Sequence, residues 1–252
     1  MKLYHELAEF YFTIEDKHRD ISQDAALVRR LLKDKKGTEL TLLDLGCGSG
    51  EHMNLLSRMN IRCTGIDSSK DMLRIARERF PDSGRYINAD MTSFDFFEEF
   101  DAVISLFGSF NYLISDADVD MVCRNTRRAL KPGGIGLFEI WNAPPIRAIA
   151  RKEKNLVSIS HYRGTRIGRE RGFSLMPDPE RTLVDVFYTY TLSRNGVIEE
   201  VFDRHIMRAF TRDEIEGFIT RNGLVMVNCY SNAMQDPYRE TSNRILAHFA
   251  KP

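Results

Sequence analysis

In the stretch "LTLLDLGCGSGEH" at residues 40–52, the acid Asp44 is followed by glycine at alternate places, Gly46, Gly48 and Gly50. Glycine inside regular structure costs about 0.5–1 kcal/mol, so three together imply a backbone that something approaches closely. A dinucleotide would want G-x-G-x-x-G, with its pyrophosphate on a helix N-terminus. Here the spacing is G-x-G-x-G, Met53 stands three places after Gly50, and the acid Glu51 sits where a phosphate would arrive. A nucleoside ligand without phosphates fits better. Two further acids end apolar runs: Asp67 in "CTGID" and Asp90 in "INADM". A carboxylate like Asp67 can accept hydrogen bonds from both hydroxyls of a ribose, each worth about 1.5–3 kcal/mol. Asp90 can accept from the exocyclic amine of adenine, and the Met91 N–H can donate to a ring nitrogen.

Those acids share one rim only if the elements before them are parallel strands. The pattern predicts strands at 40–45, 61–67, 85–90, 100–107 and 135–141, separated by helices at 51–59, 68–80 and 116–130. Apolar strands alternating with helices make an α/β fold, a doubly wound and mostly parallel sheet whose ligands bind at the carboxyl ends of the strands. Ahead of it, residues 3–32 carry helical spacing, stopped by "KDKKG" at Gly37. The rhythm breaks at "NAPPIRA". Residues 155–162 and 182–209 read as antiparallel strands, the latter a hairpin turning at Asn195-Gly196. A helix with a capping box, Thr211 and Glu214, and strands at 224–230 and 243–250 close the chain. The organisation expected is a helical lid (1–37), a core (38–145 with 208–252) and an inserted antiparallel substrate cap (146–207).

Composition narrows the function. Lys plus Arg equals Asp plus Glu, 36 each, so no global field recruits nucleic acid or an anionic membrane. No apolar stretch is long enough to span a bilayer and no signal-peptide run is present. Cys47, Cys63, Cys123 and Cys229 form no C-x-x-C pair, which argues against a metal knuckle or disulfide framework and fits a reducing cytoplasm.

"LLDLGCGSG", "GIDSS" followed by "DML", "NADM", "FDAVISLFGSFNYL" and "ALKPGG" stand in this order, and with them the chain resembles the class I S-adenosylmethionine-dependent methyltransferases. The resemblance covers about residues 38–145 and 208 to the end, and implies a seven-stranded Rossmann-like sheet. It implies that Gly46, Cys47 and Gly48 line the methionine end of the cofactor and that Gly50 belongs to the same cofactor-binding loop. Asp67, with Ser68 and Met72 in its motif, would hold the ribose; Asp90 and Met91 the adenine; the Leu106 carbonyl the amino group. "SFNYL" (Ser109 to Leu113) and "DRH" (Asp203 to His205) are similar to small-molecule members with an antiparallel cap, including aminosugar N,N-dimethyltransferases. Gly108 stands where some relatives carry an acid, so any role of that acid is absent. "AEFYF" looks like the helix whose tyrosine closes over the cofactor, which nominates Tyr11.

S-adenosylmethionine carries an activated methyl, so alignment and one base suffice. His205, with Asp203 two residues away on the same strand face, is the candidate base; the alternative is a hydrogen-bonded strand histidine, as for His161. Tyr11 is either a lid over the cofactor or helix packing. Tyr112, Asn111, Glu139 and Trp141 are candidates for the acceptor side, Glu139 alternatively pairing an arginine and Trp141 filling the core-to-cap joint. Asp44 either receives loop N–H groups or meets the cofactor amine through water. Arg163, Arg166, Arg169 and Arg171 could clamp an anionic substrate group or form a solvated loop. The expected activity is methyl transfer to a small polar metabolite at nitrogen. The alternatives are O-methylation, an RNA methyltransferase, a non-catalytic cofactor-binding module and, more remotely, a NAD-dependent oxidoreductase. Neither a metal nor a membrane partner is expected; the cap offers a surface for a homodimer.

Overall fold

The computed structural model describes residues 1–15, 20–35 and 39–252. Gly37, the expected helix stop, lies outside them. The continuous helical pattern expected over 3–32 is broken instead. Two tight 3-10 turns, Lys2–Tyr4 and Ala8–Phe10, lead into α1 (Tyr11–Glu15), and α2 (Ile21–Leu31) is a separate helix capped by Asp20.

The core then alternates as the apolar runs demand: β1 (Leu40–Leu45), α3 (Glu51–Ser57), β2 (Ile61–Asp67), α4 (Lys70–Arg79), β3 (Arg85–Asn88), β4 (Phe100–Ser105), α5 (Asp116–Ala129) and β5 (Leu130–Trp141). Serines open two of these helices, Ser69 accepting from the Met72 N–H and Ser115 from the Asp118 N–H. After α6 (Ala143–Ile149) the chain makes four antiparallel strands: β6 (Arg151–Tyr162), β7 (Thr165–Leu175), β8 (Thr182–Arg194) and β9 (Val197–Ala209). It returns through α7 (Arg212–Arg221), with the expected Thr211–Glu214 capping box, to β10 (Val225–Tyr230) and β11 (Arg244–Ala250).

The seven-stranded sheet has the order β10-β11-β5-β4-β1-β2-β3, with β11 antiparallel to both neighbours. The order reverses between β1 and β4, which places the ligand crevice at their carboxyl ends. Strand alternation splits the core into two layers. Leu43 and Leu45 face α5 and α7, with Val119, Val122, Ile215 and Phe218; Leu40 and Leu42 face α2 and α3, with Val28, Leu32, Met53 and Leu56. α2 therefore packs in the core, while residues 1–15 of the expected lid cross the crevice. All four cysteines are free and buried, and burial pushes the Cys63 and Cys123 thiols up to about 12.

The cap sheet has the order β6-β7-β8-β9. Its β8–β9 hairpin turns at Asn195 and Gly196, both with positive φ, as expected. The Arg-rich stretch is not a loop but the strand β7, entered by a second such turn at Arg163 (φ 48°) and Gly164 (φ 79°). Its charges masked it. Arginine stems cover apolar surface as well as leucines do, so inward positions do not read as apolar.

Residues 1–15 form a strap between the two sheets. Leu3, Leu7 and Ile14 pack on Ile167, Tyr190 and Val201 of the cap, while Ala8 packs on Met72 and Ile75 of α4. Each buried leucine or isoleucine there contributes about 1.5–3 kcal/mol.

Candidate active site

The loop after β1 is shaped mostly from within. A Cβ on Gly46 would lie 2.5 Å from Ser109 Oγ, and one on Gly50 would lie 2.8 Å from Tyr86 Oη. Both residues also have positive φ, and Gly50 is the left-handed N-cap of α3. Gly50 lines none of the three cavities below, so the expectation that it touches the cofactor is corrected: it is bare so that α3 can pack on α4 and β3. Gly48 is the one whose missing side chain opens a cavity, its nearest neighbour there being Met72 at 3.4 Å.

That cavity, about 330 Å³, is walled by Gly46, Gly48, Asp67, Ser68, Met72, Asp90 and Met91, all expected there. Tyr4, Tyr11, Phe107, Ser109 and Tyr112 close it. The Asp67 carboxylate is fixed by two N–H groups, Gly48 donating to Oδ2 (2.9 Å) and Ser69 to Oδ1 (2.8 Å). Burial raises its pKa, and those two bonds oppose the rise. Asp90 Oδ1 accepts from the Thr92 N–H and hydroxyl, 2.8 and 2.7 Å.

A second cavity of about 50 Å³ continues the first, walled by Cys47, Leu106, Glu51 and His52. Glu51 is bonded by Arg79 and by Ser49 Oγ, so its negative charge is compensated and repels a ligand less than its position in sequence implied. Asp44 lies behind the wall rather than in it. It is 2% exposed, its Oδ2 has no hydrogen-bond partner, and burial lifts its pKa to about 6 against the opposing pull of His52. His52 in turn sits 3.5 Å from the buried Asp24.

A third cavity, about 460 Å³, lies under the cap, walled by Gly108, Glu139, Trp141, Val157, Arg169, Arg171, Tyr188 and Met207. It shares Tyr4, Tyr11, Phe107 and Tyr112 with the first, and Tyr11 and Phe107 line all three. The three meet at those two rings. Phe107 has φ 61°, a conformation costing a bulky residue about 1–3 kcal/mol. Its N–H is held by Glu139 Oε2 at 3.2 Å, and Arg244 holds Glu139 Oε1, also at 3.2 Å. Glu139 is thus both an arginine partner and a wall residue. Trp141 faces the same cavity, with the Arg171 guanidinium 5.3 Å from its ring.

Asn111 and His205 are not where the sequence suggested. Asn111 is fully buried and donates to the Arg208 carbonyl at 2.6 Å, tying the turn after β4 to β9; it lines none of the three cavities. His205 is 1% exposed and also lines none of them. Tyr4, Tyr112 and Tyr188 screen its ring, with centroids 5.6, 5.8 and 5.1 Å away. The strap, which no strand pattern foretells, covers that face. His161 is exposed on β6.

His205 instead sits inside a chain of hydrogen bonds. Its Nε2 is 2.8 Å from Asp203 Oδ2, its Nδ1 2.5 Å from Tyr112 Oη, and Tyr112 Oη is 2.9 Å from Tyr4 Oη. Burial alone would raise the Asp203 pKa, but the bonds from His205 and the Leu3 N–H (2.8 Å) hold it well below the ordinary range. An ionised Asp203 can only accept, so the imidazole proton belongs on Nε2 and Nδ1 accepts from Tyr112, whose oxygen is left to accept from Tyr4. Burial pushes the pKa values of Tyr4, Tyr11 and Tyr112 up, so all three remain phenols at neutral pH.

Sequence reasoning missed Phe107, Tyr4, Glu15 and Tyr188. No local signal marks them: Phe107 owes its backbone to Glu139, and the other three reach the site through strap and cap packing.

A family model described as a methyltransferase domain matches residues 42–134. Over 224 residues the chain is 29% identical to a dTDP-3-amino-3,6-dideoxy-alpha-D-glucopyranose N,N-dimethyltransferase of Streptomyces fradiae, covering 87% of this chain and 84% of that one. Among solved structures, a S-adenosylmethionine-dependent methyltransferase of Clostridium acetobutylicum matches with a TM-score of 0.83 at 18% identity, over 98% of each chain. An amino pentose methyltransferase of Micromonospora echinaspora, solved with S-adenosylmethionine bound, matches with a TM-score of 0.75 at 21% identity, over 94% of this chain and 93% of that one. The structural likenesses show the fold, residues 42–134 match a methyltransferase domain, and the protein is a S-adenosylmethionine-dependent methyltransferase.

Proposed function

We propose that the protein methylates the nitrogen of a small polar amine of the aminosugar kind named for its relatives. The observation that carries this reading is the meeting of a strand-tip cavity and a cap cavity at Tyr11 and Phe107. The residues of the first two cavities fit the cofactor: Asp67 suits a ribose, Asp90 and Met91 an adenine, and Gly48 with Cys47 the amino-acid end. Asp44, with its unpartnered oxygen behind that end, suits a cationic amine reached through water. S-adenosylmethionine supplies a methyl already activated on sulfur. The chain's own part is to align, exclude water and move a proton. Tyr11 closes the junction against solvent, and Glu139 holds Phe107 against it from below. The acceptor amine must reach the junction uncharged. Tyr112 can receive its proton through oxygen while passing its own to His205 Nδ1, with Asp203 stabilising the imidazolium. His205 thus acts through Tyr112 rather than on the acceptor.

A cavity of about 460 Å³ under the cap suits a metabolite better than a polymer, and the balanced charge of the chain exerts no overall pull on RNA. Two measurements test the reading. S-adenosylhomocysteine should raise Tm by several degrees and NAD should not. Among amino and hydroxyl metabolites incubated with S-adenosylmethionine, dTDP-aminosugars and free aminosugars should give an N-methylated product. Methyl appearing on a hydroxyl instead would replace nitrogen by oxygen as the acceptor, and turnover on RNA alone would reject the small-molecule reading.

A further inference from the structure

We propose that Asp203 is a positioning residue of the transfer: it fixes the direction of the hydrogen bonds so that Tyr112 only accepts from the incoming nitrogen, and methylation ends when that nitrogen has no hydrogen left. The proposal deepens the reading above and rests on the acceptor reaching the junction beside Tyr112, which lines both the first cavity and the cap cavity. The direction starts from two main-chain donors that cannot be reversed. Asp203 Oδ1 accepts from the Arg204 N–H at 3.0 Å, and Oδ2 accepts from the Leu3 N–H at 2.8 Å. A carboxylate between such donors has only lone pairs to offer, so His205 Nε2, 2.8 Å away, donates to it. Nδ1 is left bare and takes the Tyr112 proton. Among the described residues, Asp203 and Tyr112 are the polar partners of this ring, and its 1% exposure keeps bulk water from resetting it.

The consequence falls on the acceptor. Tyr112 has one proton, committed to His205, and two lone pairs, one of which takes the Tyr4 hydroxyl at 2.9 Å. A single lone pair remains toward the junction. An uncharged primary or secondary amine can donate one N–H to it, which turns the nitrogen's own lone pair away from Tyr112 and leaves it free for the methyl. A tyrosine hydroxyl pointing the other way would bind that lone pair and block it. Once the nitrogen has bonded the methyl through its lone pair, the held proton passes to the Tyr112 oxygen, and Tyr112 hands its own to His205 Nδ1. A primary amine can pass through this cycle twice. A tertiary amine cannot enter it: uncharged it has no N–H to be held by, and protonated it has no lone pair to give.

The direction can be read with neither cofactor nor acceptor present. In nitrogen NMR on protein with isotopically labelled histidine, the His205 ring, assigned by its loss in His205→Gln, should show a protonated Nε2 and a bare Nδ1. Asp203→Asn, whose amide can turn an N–H toward the ring, should put the proton on Nδ1 in part or all of the molecules and lower kcat at least tenfold. Where an aspartate holds a catalytic histidine in one tautomer, this exchange can cost about 10⁴-fold in kcat. Initial rates would then be compared on one dTDP-aminosugar in its amino, methylamino and dimethylamino forms. The first two should be methylated at rates within about tenfold of each other and the third not at all, and Tyr112→Phe should slow both transfers about 10²-fold. A wild-type ring protonated on Nδ1 would overturn the proposal. So would a trimethylammonium product, or an Asp203→Asn protein whose tautomer and kcat both match wild type. If Asp203→Asn does not fold, the wild-type spectrum and Tyr112→Phe decide. Methylation of none of the three amines would overturn the N-methylation reading and the product limit with it, while the spectrum still decides the role of Asp203.

Discussion

Asp44 is a carboxylate held at a cost. Its pKa rises from 3.8 to about 6 because it is fully buried with one oxygen unpartnered, which corresponds to about 2–3 kcal/mol. The sign follows from the raised value. Below the unfolded pKa both states are protonated and nothing is lost; as pH rises through the folded value the protein must ionise a buried acid. Asp44→Asn should therefore match wild type near pH 4 and be more stable at pH 8, with the gap in denaturant midpoint complete a little above pH 6. The hydrogen-bonded chain makes a different prediction. Tyr112→Phe keeps the ring and its packing but removes the donor to His205 Nδ1. We expect kcat to fall about 10²-fold, at the low end of proton-transfer catalysis, with S-adenosylhomocysteine affinity unchanged by calorimetry. An unaltered kcat would make the chain purely structural. Asp67, Asp90 and Met91 were legible at this scale because a strand tip is fixed by local pattern. The burial of His205 was not, because it depends on a segment two hundred residues away in sequence.

The strap is the element on which the site closes, and it is fastened unevenly. Leu3, Leu7 and Ile14 anchor it by burial, and its first turn is held in addition by the bond from the Leu3 N–H to Asp203. Asp203→Asn should raise hydrogen exchange at the Leu3 amide about tenfold, the worth of about 1.4 kcal/mol, and leave Ile14 protected. Acid should act in the same direction. A lowered carboxylate pKa gives stability that is complete above the unfolded value of about 3.9 and is lost as pH falls toward the folded one. The elements of the core were readable one by one, since each strand and helix carries its own period and caps. The strap and β7 were not. One is too short and irregular to show a period, and the other hides its inward positions under arginine.

Across the whole molecule, the reversal of strand order between β1 and β4 fixes where a cofactor can sit, and the cap fixes how far an acceptor can reach. The glycine loop, the acidic strand tips and the doubly wound order were all present in the sequence, because parallel strands must end on one rim. The junction at Tyr11 and Phe107 was only half visible: it exists where strap, sheet and cap converge, and that convergence is a property of the assembled chain.

The four sequestered thiols have a practical consequence. With Cys47, Cys63, Cys123 and Cys229 all buried and their pKa values raised by burial, the native protein offers thiol reagents almost nothing to attack. A single cysteine engineered at an exposed strap position, with a second on the far side of the cap, would be the pair that maleimide dyes find first. Fluorescence energy transfer between them would then follow opening and closing in real time, without stripping the native sulfurs from the chain.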